Sequence, residues 1–147
     1  MKYLLDTNIY FAVLRSPAFL QAHQALLRRI GPATYLSSVV LLELLQGAKG
    51  DIARARIAQA TQTLERTGRV IAPTHADWVT AGTTQSRIRD EHASLRSKAV
   101  QNDLLIACTA RRIGAVVVTE NTADFDLIRR YLAHRALSVR QLARDDT

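Results

Sequence analysis

The stretch that decides the fold is residues 100–119, which read VQNDLLIACTARRIGAVVVT. Apolar residues recur at helical spacing from Val100 to Ile113, and Gly114 is the residue type that commonly ends a helix. Ala115–Val118 is continuously apolar and mostly β-branched, which is typical of a strand buried on both faces of a sheet. A helix that leads directly into such a strand indicates a parallel α/β arrangement.

The rest of the chain repeats this alternation of short strands and helices. Further strands are predicted at Lys2–Leu5, Thr34–Leu36, Arg69–Ile71 and Ala136–Val139. Further helices are predicted at Asn8–Leu14, Ala18–Ile30, Val39–Ala48, Ile52–Thr67 with Asp51 as its cap, and from Thr74 or His75 to Asp90. Polar loops are predicted at Glu91–Ala99 and Glu120–Asp126. This order predicts one α/β domain over residues 1–147, with helices on both faces of a parallel sheet of about five strands.

The composition excludes several classes of protein. The chain has 147 residues, of which 48% are hydrophobic, so it is long and apolar enough to bury a core. Its single cysteine, Cys108, excludes an internal disulfide framework and a multi-cysteine zinc site. No apolar run approaches the roughly 18–20 residues that span a bilayer, and Met1–Leu5 is too short for the core of a signal peptide. We therefore expect a cytoplasmic protein with no membrane partner.

The charge balance favours a polyanionic partner without identifying one. Twenty Lys and Arg residues against thirteen Asp and Glu residues give a formal net charge of +7, and most of the cations are arginines. Excess positive charge attracts nucleic acid, and the planar guanidinium group suits phosphate groups and base edges. An arginine bias of the source genome explains the same numbers, so both interpretations stay open at this point.

Four acidic residues interrupt or closely follow apolar stretches. Asp6 directly follows the first strand, and Glu43 interrupts the apolar run VVLLELL. Asp103 precedes the run LLIA near the start of a helix, and Asp124 lies in the polar loop after AVVV. Each residue taken alone has a structural alternative, as a helix cap, a first-turn helix acid, a turn residue or an arginine-paired surface acid.

Taken together, the four positions predict that these acids meet at one edge of the sheet. Asp6 and Asp124 follow strands, and Glu43 lies in a helix that follows a strand. The helix that Asp103 opens runs antiparallel to the strands, so its amino end lies at the same edge. Carboxylates that meet repel one another unless a cation compensates, and Mg²⁺ or Mn²⁺ prefers such oxygen ligands. The sequence has no clustered cysteines or paired histidines for zinc and no GxGxxG, GxxxxGK[ST], GxSxG or HExxH motif.

Four blocks of the sequence resemble a known family. They are LLDTNI at Leu4–Ile9, SSVVLLELLQG at Ser37–Gly47, NDLLIACTA at Asn102–Ala110 and VVTENTADF at Val117–Phe125. In this order they resemble the signature blocks of PIN-domain nucleases, and most closely those of VapC-type toxins from bacterial toxin–antitoxin pairs. The resemblance covers nearly the whole chain and implies a Rossmann-like α/β/α sandwich with a central parallel sheet.

The resemblance also implies roles for individual residues. The acidic quartet of the family falls on Asp6, Glu43, Asp103 and Asp124. These four are implied to be catalytic and to bind Mg²⁺ or Mn²⁺, with Asp126 as the alternative for the fourth position. The polar positions beside the acids, which support a carboxylate or a metal-bound water, are matched by Thr7, Asn8, Thr119 and Asn121. The implied reaction is metal-assisted hydrolysis of RNA phosphodiester bonds.

The implied partners are an RNA substrate, a second copy of the chain and a small VapB-like antitoxin. The cations expected near the RNA are Arg15, Arg87, Arg89, Arg96 and Lys98. The cations of the fourth helix are less favoured, because that helix is expected to present a solvated face; they are Arg54, Arg56 and Arg66. The alternative function is a FitB-like nucleic-acid-binding PIN module that works with a DNA-binding partner and has little or no nuclease activity.

Overall fold

A parallel sheet of five short strands forms the centre of the part of the chain that the computed structural model describes, residues 1–92 and 97–145. For residues 97–99 only the backbone is described. The strands are β1 (Lys2–Leu5), β2 (Thr34–Ser37), β3 (Val70–Ile71), β4 (Ala115–Val118) and β5 (Arg135–Leu137). They lie in the order β3-β2-β1-β4-β5, and each neighbouring pair is parallel. The predicted parallel α/β fold is confirmed.

Helices cover both faces of this sheet. They are α1 (Thr7–Arg15), α2 (Pro17–Ile30), α3 (Ser38–Gln46), α4 (Gly50–Arg66), α5 (His75–Glu91), α6 (Ser97–Ile113), α7 (Thr122–Arg129) and α8 (Val139–Asp145). One hydrophobic cluster joins helices α3 to α7 to Leu4 and Val117. A second cluster joins α1, α2 and α8 to Val118, which points to the opposite face because side chains alternate along a strand. None of the described helices is long and apolar enough to cross a lipid bilayer.

The strand register brings polar residues together at the carboxyl edge of the sheet. Leu5 at the end of β1 pairs with Val118 at the end of β4, so the residues that follow them leave the sheet side by side. The backbone N of Asp6 extends this ladder by donating to the carbonyl of Val118 at 2.9 Å. Asp6 also caps α1, and Ser37 at the end of β2 caps α3. Both helices therefore begin at this edge.

Two predicted loops are wrong at their boundaries. The predicted loop Glu91–Ala99 is shorter, because α5 includes Glu91 and α6 begins at Ser97, while residues 93–96 lie outside the described residues. Asp103 consequently lies in the second turn of α6 and does not open the helix. The predicted loop Glu120–Asp126 ends at Asn121, because α7 begins at Thr122.

Two further local predictions are corrected. Asp51 does not cap α4; the helix begins one residue earlier, after Lys49, and Asp51 pairs with Arg54 at 2.6 Å in its first turn. Gly50 has a φ of +83°, a backbone conformation that glycine adopts without strain, and this permits the sharp turn from α3 into α4. The last strand ends before Val139, which begins the unpredicted helix α8.

Candidate active site

The carboxyl ends of β1 and β4 border a cavity of about 260 Å³, which we call the acidic pocket. Its walls are formed by Asp6, Thr7, Asn8, Phe11, Glu43, Asp103 and Asn121. The structure thus brings together residues from four separate blocks of the sequence, at the edge of the sheet where parallel α/β folds collect their ligands.

Asp6 is held in one orientation by hydrogen bonds to both of its carboxylate oxygens. Its Oδ1 accepts from the backbone N of Thr7 at 2.7 Å. Its Oδ2 accepts from the hydroxyl of Thr119 at 2.7 Å and from Nδ2 of Asn8 at 3.2 Å. Burial raises the pKa of Asp6, and the hydrogen bonds from Thr119, Thr7 and Asn8 oppose this rise. A buried carboxylate that is fixed in this way is suited to binding a ligand in a constant direction.

Glu43 reaches the pocket from α3, which begins directly after β2. Ser37 caps this helix by accepting a hydrogen bond from the backbone N of Val39 at 3.2 Å. Glu43 lies in the second turn and accepts a hydrogen bond from the hydroxyl of Thr7 at 2.9 Å. The half-buried Glu43 is thereby joined to the residue that follows Asp6.

Asp124 lies in the first turn of α7, and Asn121 joins it to the pocket. Nδ2 of Asn121 donates to Oδ2 of Asp124 at 2.7 Å. The backbone N of Asn121 donates to the hydroxyl of Thr119 at 2.9 Å, and that hydroxyl donates to Asp6. Hydrogen bonds therefore connect Asp124 to the same network as the first aspartate.

Asp103 faces the other acids from α6 and is 8% exposed. Burial, followed by the negative charges of Asp6, Asp124 and Glu43, raises the pKa of Asp103 from its ordinary 3.8 to about 8. The negative charges of the three other acids thus act on Asp103. The structure brings Asp6, Glu43 and Asp103 to one pocket, whereas Asp124 does not line it and is connected to it through Asn121.

No cation among the described side chains forms an ion pair with any of these four carboxylates. Ion pairs elsewhere in the described chain join Arg54 to Asp51, Arg112 to Asp77 and Arg129 to Asp126. Asp126 is therefore occupied by an arginine at the surface, whereas the neighbouring Asp124 is hydrogen bonded to a pocket residue. This difference favours Asp124 as the fourth acid of the site.

The donor atoms of the pocket fit a hard divalent cation that keeps much of its water. Among the described residues, no group of three or more His, Cys, Asp or Glu side chains is arranged to hold a metal ion directly. Mg²⁺ is commonly held by one or two carboxylates, with water completing its octahedral shell, whereas zinc requires several direct N or S ligands. Oxygen ligands and uncompensated negative charge therefore fit Mg²⁺ or Mn²⁺.

The sequence profile of the PIN domain family matches residues 3–131, a range that includes all four acids of the site. This chain belongs to the PIN domain family. Over 128 residues this PIN domain is 25% identical to Ribonuclease VapC1 of Haemophilus influenzae (strain R2866). That alignment covers 87% of this chain and 92% of the relative.

Solved structures of VapBC-1 and FitAB share the fold of this PIN domain. VapBC-1 from nontypeable Haemophilus influenzae superposes with a TM-score of 0.68 and 22% sequence identity, covering 95% of this chain and 99% of that chain. FitAB bound to an IR36 DNA fragment superposes with a TM-score of 0.70 and 21% identity, covering 93% of this chain and 94% of that chain. At these identities the likeness establishes the shared fold.

Phe11 is a pocket residue that the sequence analysis did not predict. It lies one helical turn after Thr7 in α1, and both line the acidic pocket. The four-residue spacing between them is the signal that places both on one face of the helix. One further turn along α1, the guanidinium group of Arg15 stacks on the Phe11 ring, 4.0 Å from the ring centroid. The predicted RNA-binding residue Arg15 therefore lies at the border of the pocket.

Of the other predicted RNA-binding cations, Arg87 and Arg89 do not line the acidic pocket. The guanidinium group of Arg87 lies 5.7 Å from the ring centroid of Tyr131, and Arg89 is exposed on α5. Arg96 and the side chain of Lys98 lie outside the described residues. RNA binding by these four cations stays a prediction.

Glu120 is a second residue that the sequence analysis missed. Its backbone N donates to Oδ1 of Asn8 at 3.2 Å, which fixes the amide so that Nδ2 faces Asp6 and Thr119. Its side-chain Oε1 accepts from the backbone N of Val139 at 3.1 Å, at the start of α8. The orientation of Asn8 is therefore tied to a helix that the sequence did not predict.

A larger cavity of about 660 Å³ lies between α1, α2 and α4, and we call it the apolar groove. Its apolar lining includes Leu5, Leu20, Leu27, Ala60 and Leu64. The hydroxyl of Tyr10, which also lines the groove, is buried and has no hydrogen-bond partner among the described residues. Burial raises the pKa of Tyr10, so this hydroxyl stays neutral and able to donate. An unpaired buried hydroxyl costs free energy until an incoming group bonds to it.

Proposed function

We propose that this PIN domain is a Mg²⁺- or Mn²⁺-dependent endoribonuclease that acts in the cytoplasm as the toxin of a toxin–antitoxin pair. The observation that carries the proposal is one pocket lined by the carboxylates of Asp6, Glu43 and Asp103, to which Asn121 connects Asp124, without a described ion pair to balance them. Metal-assisted hydrolysis of a phosphodiester is the chemistry that such an oxygen-rich, negative site supports. The likeness to Ribonuclease VapC1 supports RNA as the substrate.

In this proposal the four acids hold the ion and its water, and the polar residues beside them hold the acids. Thr119 and Asn8 keep Asp6 in place, and Thr7 keeps Glu43 in place. When bound, the ion polarises a phosphoryl oxygen and lowers the pKa of its water. Asp103 would hold the ion from the α6 side of the pocket, and one of the four carboxylates would accept the proton of the attacking water.

The test is cleavage of total cellular RNA in Mg²⁺, in Mn²⁺ and in EDTA. Wild-type protein is compared with Asp6→Asn and Asp103→Asn, which keep side-chain size and remove one negative charge. The matched control is Asp90→Asn, an exposed acid on α5 outside the pocket. We expect cleavage in either metal, none in EDTA, and a loss of at least about 100-fold in both pocket variants. Cleavage that survives EDTA and both pocket substitutions contradicts the proposal.

We further propose that a VapB-like antitoxin binds this chain through the apolar groove. The lining of the groove is mostly apolar, and the exposed side chains of Gln24 and Arg28 on the same lining can bond to polar groups of an incoming segment. Exposed apolar surface with a few polar groups is typical of peptide-binding grooves. Solved relatives that contain an antitoxin share this fold, which supports a partner of this class.

The antitoxin proposal is tested with the product of a small reading frame next to the gene. Ala60→Arg places a charge in the groove, and Gln62→Arg on the same helix is the control because Gln62 is exposed and does not line the groove. We expect Ala60→Arg to weaken complex formation at least tenfold in calorimetric titration while Gln62→Arg leaves it unchanged. Equal affinities for the wild type and both variants contradict the groove as the docking surface.

The second candidate function is a nucleic-acid-binding module with little or no nuclease activity. FitAB bound to a DNA fragment shares the fold, which is the observation that favours this candidate. It predicts salt-dependent nucleic-acid binding by this chain together with its partner, without cleavage and without an effect of Asp6→Asn.

We also propose that the chain forms a homodimer, which analytical ultracentrifugation of the purified protein tests.

A further inference from the structure

A third cavity, of about 320 Å³, lies on the other side of Phe11 from the acidic pocket. It forms where α1, the end of α3 and the start of α4 meet, and we call it the cationic pocket. Its walls include Phe11, Arg15, Gly47, Lys49, Arg56 and Ile57. Phe11 lines both cavities, so the two pockets are neighbours on the surface. The volume lies at the lower end of the range of about 300–1,000 Å³ that is usual for small-molecule sites.

The two neighbouring pockets carry opposite charge. Arg15, Lys49 and Arg56 come from three different parts of the chain, are exposed, and converge on the cationic pocket. No acidic residue is found among its described lining residues. When one phosphate of a nucleic acid lies in the acidic pocket with a divalent cation, the neighbouring phosphate can therefore contact the positive charge of the cationic pocket.

The wall between the two pockets is rigid. A Cβ atom on Gly47 would lie 2.7 Å from Cζ of Phe11, so the ring packs directly against the backbone at the end of α3. The guanidinium group of Arg15 covers a face of the same ring at 4.0 Å from its centroid. Cation–π contact and close backbone packing fix the aromatic ring and orient the cation beside it.

We propose that the cationic pocket binds the nucleotide that adjoins the scissile phosphate of a single-stranded RNA. This inference rests on the proposed nuclease function. The three cations would contact the flanking phosphate, and the apolar part of the pocket around Phe11 and Ile57 would contact the sugar and base. A base reaches such a pocket only when it is unstacked, which selects single-stranded RNA over a duplex. An acidic peptide fits less well, because it would continue into the carboxylates of the acidic pocket.

The test compares two triple variants that remove the same charge. The pocket variant is Arg15→Gln with Lys49→Gln and Arg56→Gln. The control is Arg66→Gln with Arg111→Gln and Arg135→Gln, exposed arginines near the amino ends of the strands, away from the carboxyl edge where the site lies. Binding of a fluorescein-labelled, mixed-sequence single-stranded RNA is measured in EDTA at several salt concentrations, and cleavage of the same RNA is measured in Mg²⁺.

The pocket variant is expected to lose salt-dependent RNA binding. Each lost phosphate contact makes the slope of log K against log salt shallower by about 0.7, so three lost contacts give about 2. We expect KM to rise at least tenfold, and by more than kcat falls, whereas the control variant changes KM less than twofold. Equal losses in both triple variants, or no loss in either, overturn the proposal.

A second variant tests the pocket without removing charge. Gly47→Ala forces the Phe11 ring to move, because of the 2.7 Å contact, and is expected to weaken binding of the RNA with an unchanged salt slope. Movement of the ring is detected as a change in the NMR shifts of Phe11. If the folded Gly47→Ala protein shows this change and binds RNA with unchanged affinity, the Phe11 ring does not contribute to RNA binding.

The outcomes separate this inference from the nuclease proposal. If the wild type binds RNA without cleaving it and the pocket variant loses binding, the nuclease function fails and the cationic pocket stands. If the wild type cleaves RNA and the pocket variant keeps its KM and salt slope, the pocket fails and the nuclease function stands. If the pocket variant binds RNA normally but loses its antitoxin, the cavity serves a protein partner and the inference is overturned.

Discussion

Replacement of Asp103 by asparagine is expected to make the metal-free protein more stable at pH 8. Burial and the charges of three neighbouring acids raise the pKa of Asp103 from 3.8 to about 8. The folded state therefore binds a proton more tightly than the unfolded state. The stabilisation from this bound proton is fully present below pH 4 and is lost as the pH rises towards 8 through the folded-state pKa.

The magnitude follows from the size of the shift. A rise of about four pH units, at about 1.4 kcal/mol per unit, corresponds to about 5 kcal/mol of folding free energy lost between pH 4 and pH 8. Asparagine does not titrate, so Asp103→Asn removes this contribution. The difference between the wild type and the variant reports Asp103 together with its repulsion of Asp6, Glu43 and Asp124, because titration of the groups outside this cluster is common to both proteins.

The assay is urea unfolding of both proteins in EDTA at pH 5 and pH 8, repeated at pH 8 with Mg²⁺. In EDTA, we expect the free energy of unfolding of the variant, relative to that of the wild type, to rise by several kcal/mol from pH 5 to pH 8. Mg²⁺ at about 100 times its Kd should restore about 2.7 kcal/mol to the wild type and less to the variant. Identical pH dependence of the two proteins in EDTA refutes the reasoning about repulsion among the four acids.

Further predictions concern residues that hold the site or the fold. Thr119→Val removes the hydroxyl that donates to Asp6 and should lower Mn²⁺ affinity and RNA cleavage by about 10–100-fold, measured by titration and by initial rates. Thr109→Val is its control, since that equally buried hydroxyl bonds a carbonyl in its own helix, and equal losses in both variants would count against a positioning role. Arg112→Gln breaks the partly buried ion pair with Asp77 and should cost about 1–3 kcal/mol in urea unfolding. RNA cleavage by Arg112→Gln at low temperature should be normal. A large loss of cleavage would indicate that the ion pair with Asp77 is coupled to the acidic pocket.

The sequence predicted the strands well where burial on both faces dictates the residue types. Ala115–Val118 has the predicted bounds, because four consecutive apolar residues after Gly114 leave little choice of where the strand begins. Lys2–Leu5 is also as predicted, and Asp6 ends it by capping α1. Asp6, the first acid of the site along the sequence, is thus predictable from the local preference for aspartate as a helix cap.

Helix boundaries in polar segments were less predictable. The polar residues before Val100 hide the start of α6, whose first turn lies at Ser97. Polarity likewise hides the start of α7, a short helix that was expected after Asp126 and begins at Thr122 within the predicted loop. Polar residues in these segments occur both in exposed helical turns and in loops. The absence of an apolar stripe therefore does not distinguish a helix from a loop.

The meeting of acids at one edge of the sheet was predictable, but the hydrogen bonds that hold them depend on tertiary structure. Glu120 bonds to Asn8 through its backbone and to the start of α8 through its side chain, and no local signal in the sequence indicates either bond. The same holds for Arg56, which is exposed as expected and also lines the cationic pocket with Arg15. Cations from different helices are brought together by the packing of α4 against α3, which the periodicity of one helix does not reveal.

A metal site built from these carboxylates should be visible as Mn²⁺ binding to the metal-free protein, followed by electron paramagnetic resonance. The account predicts saturable binding at neutral pH that Asp6→Asn and Asp103→Asn each weaken at least tenfold, with Asp90→Asn unchanged. The same Mn²⁺ affinity in all four proteins, or no binding at millimolar Mn²⁺, would contradict a metal site built from these carboxylates.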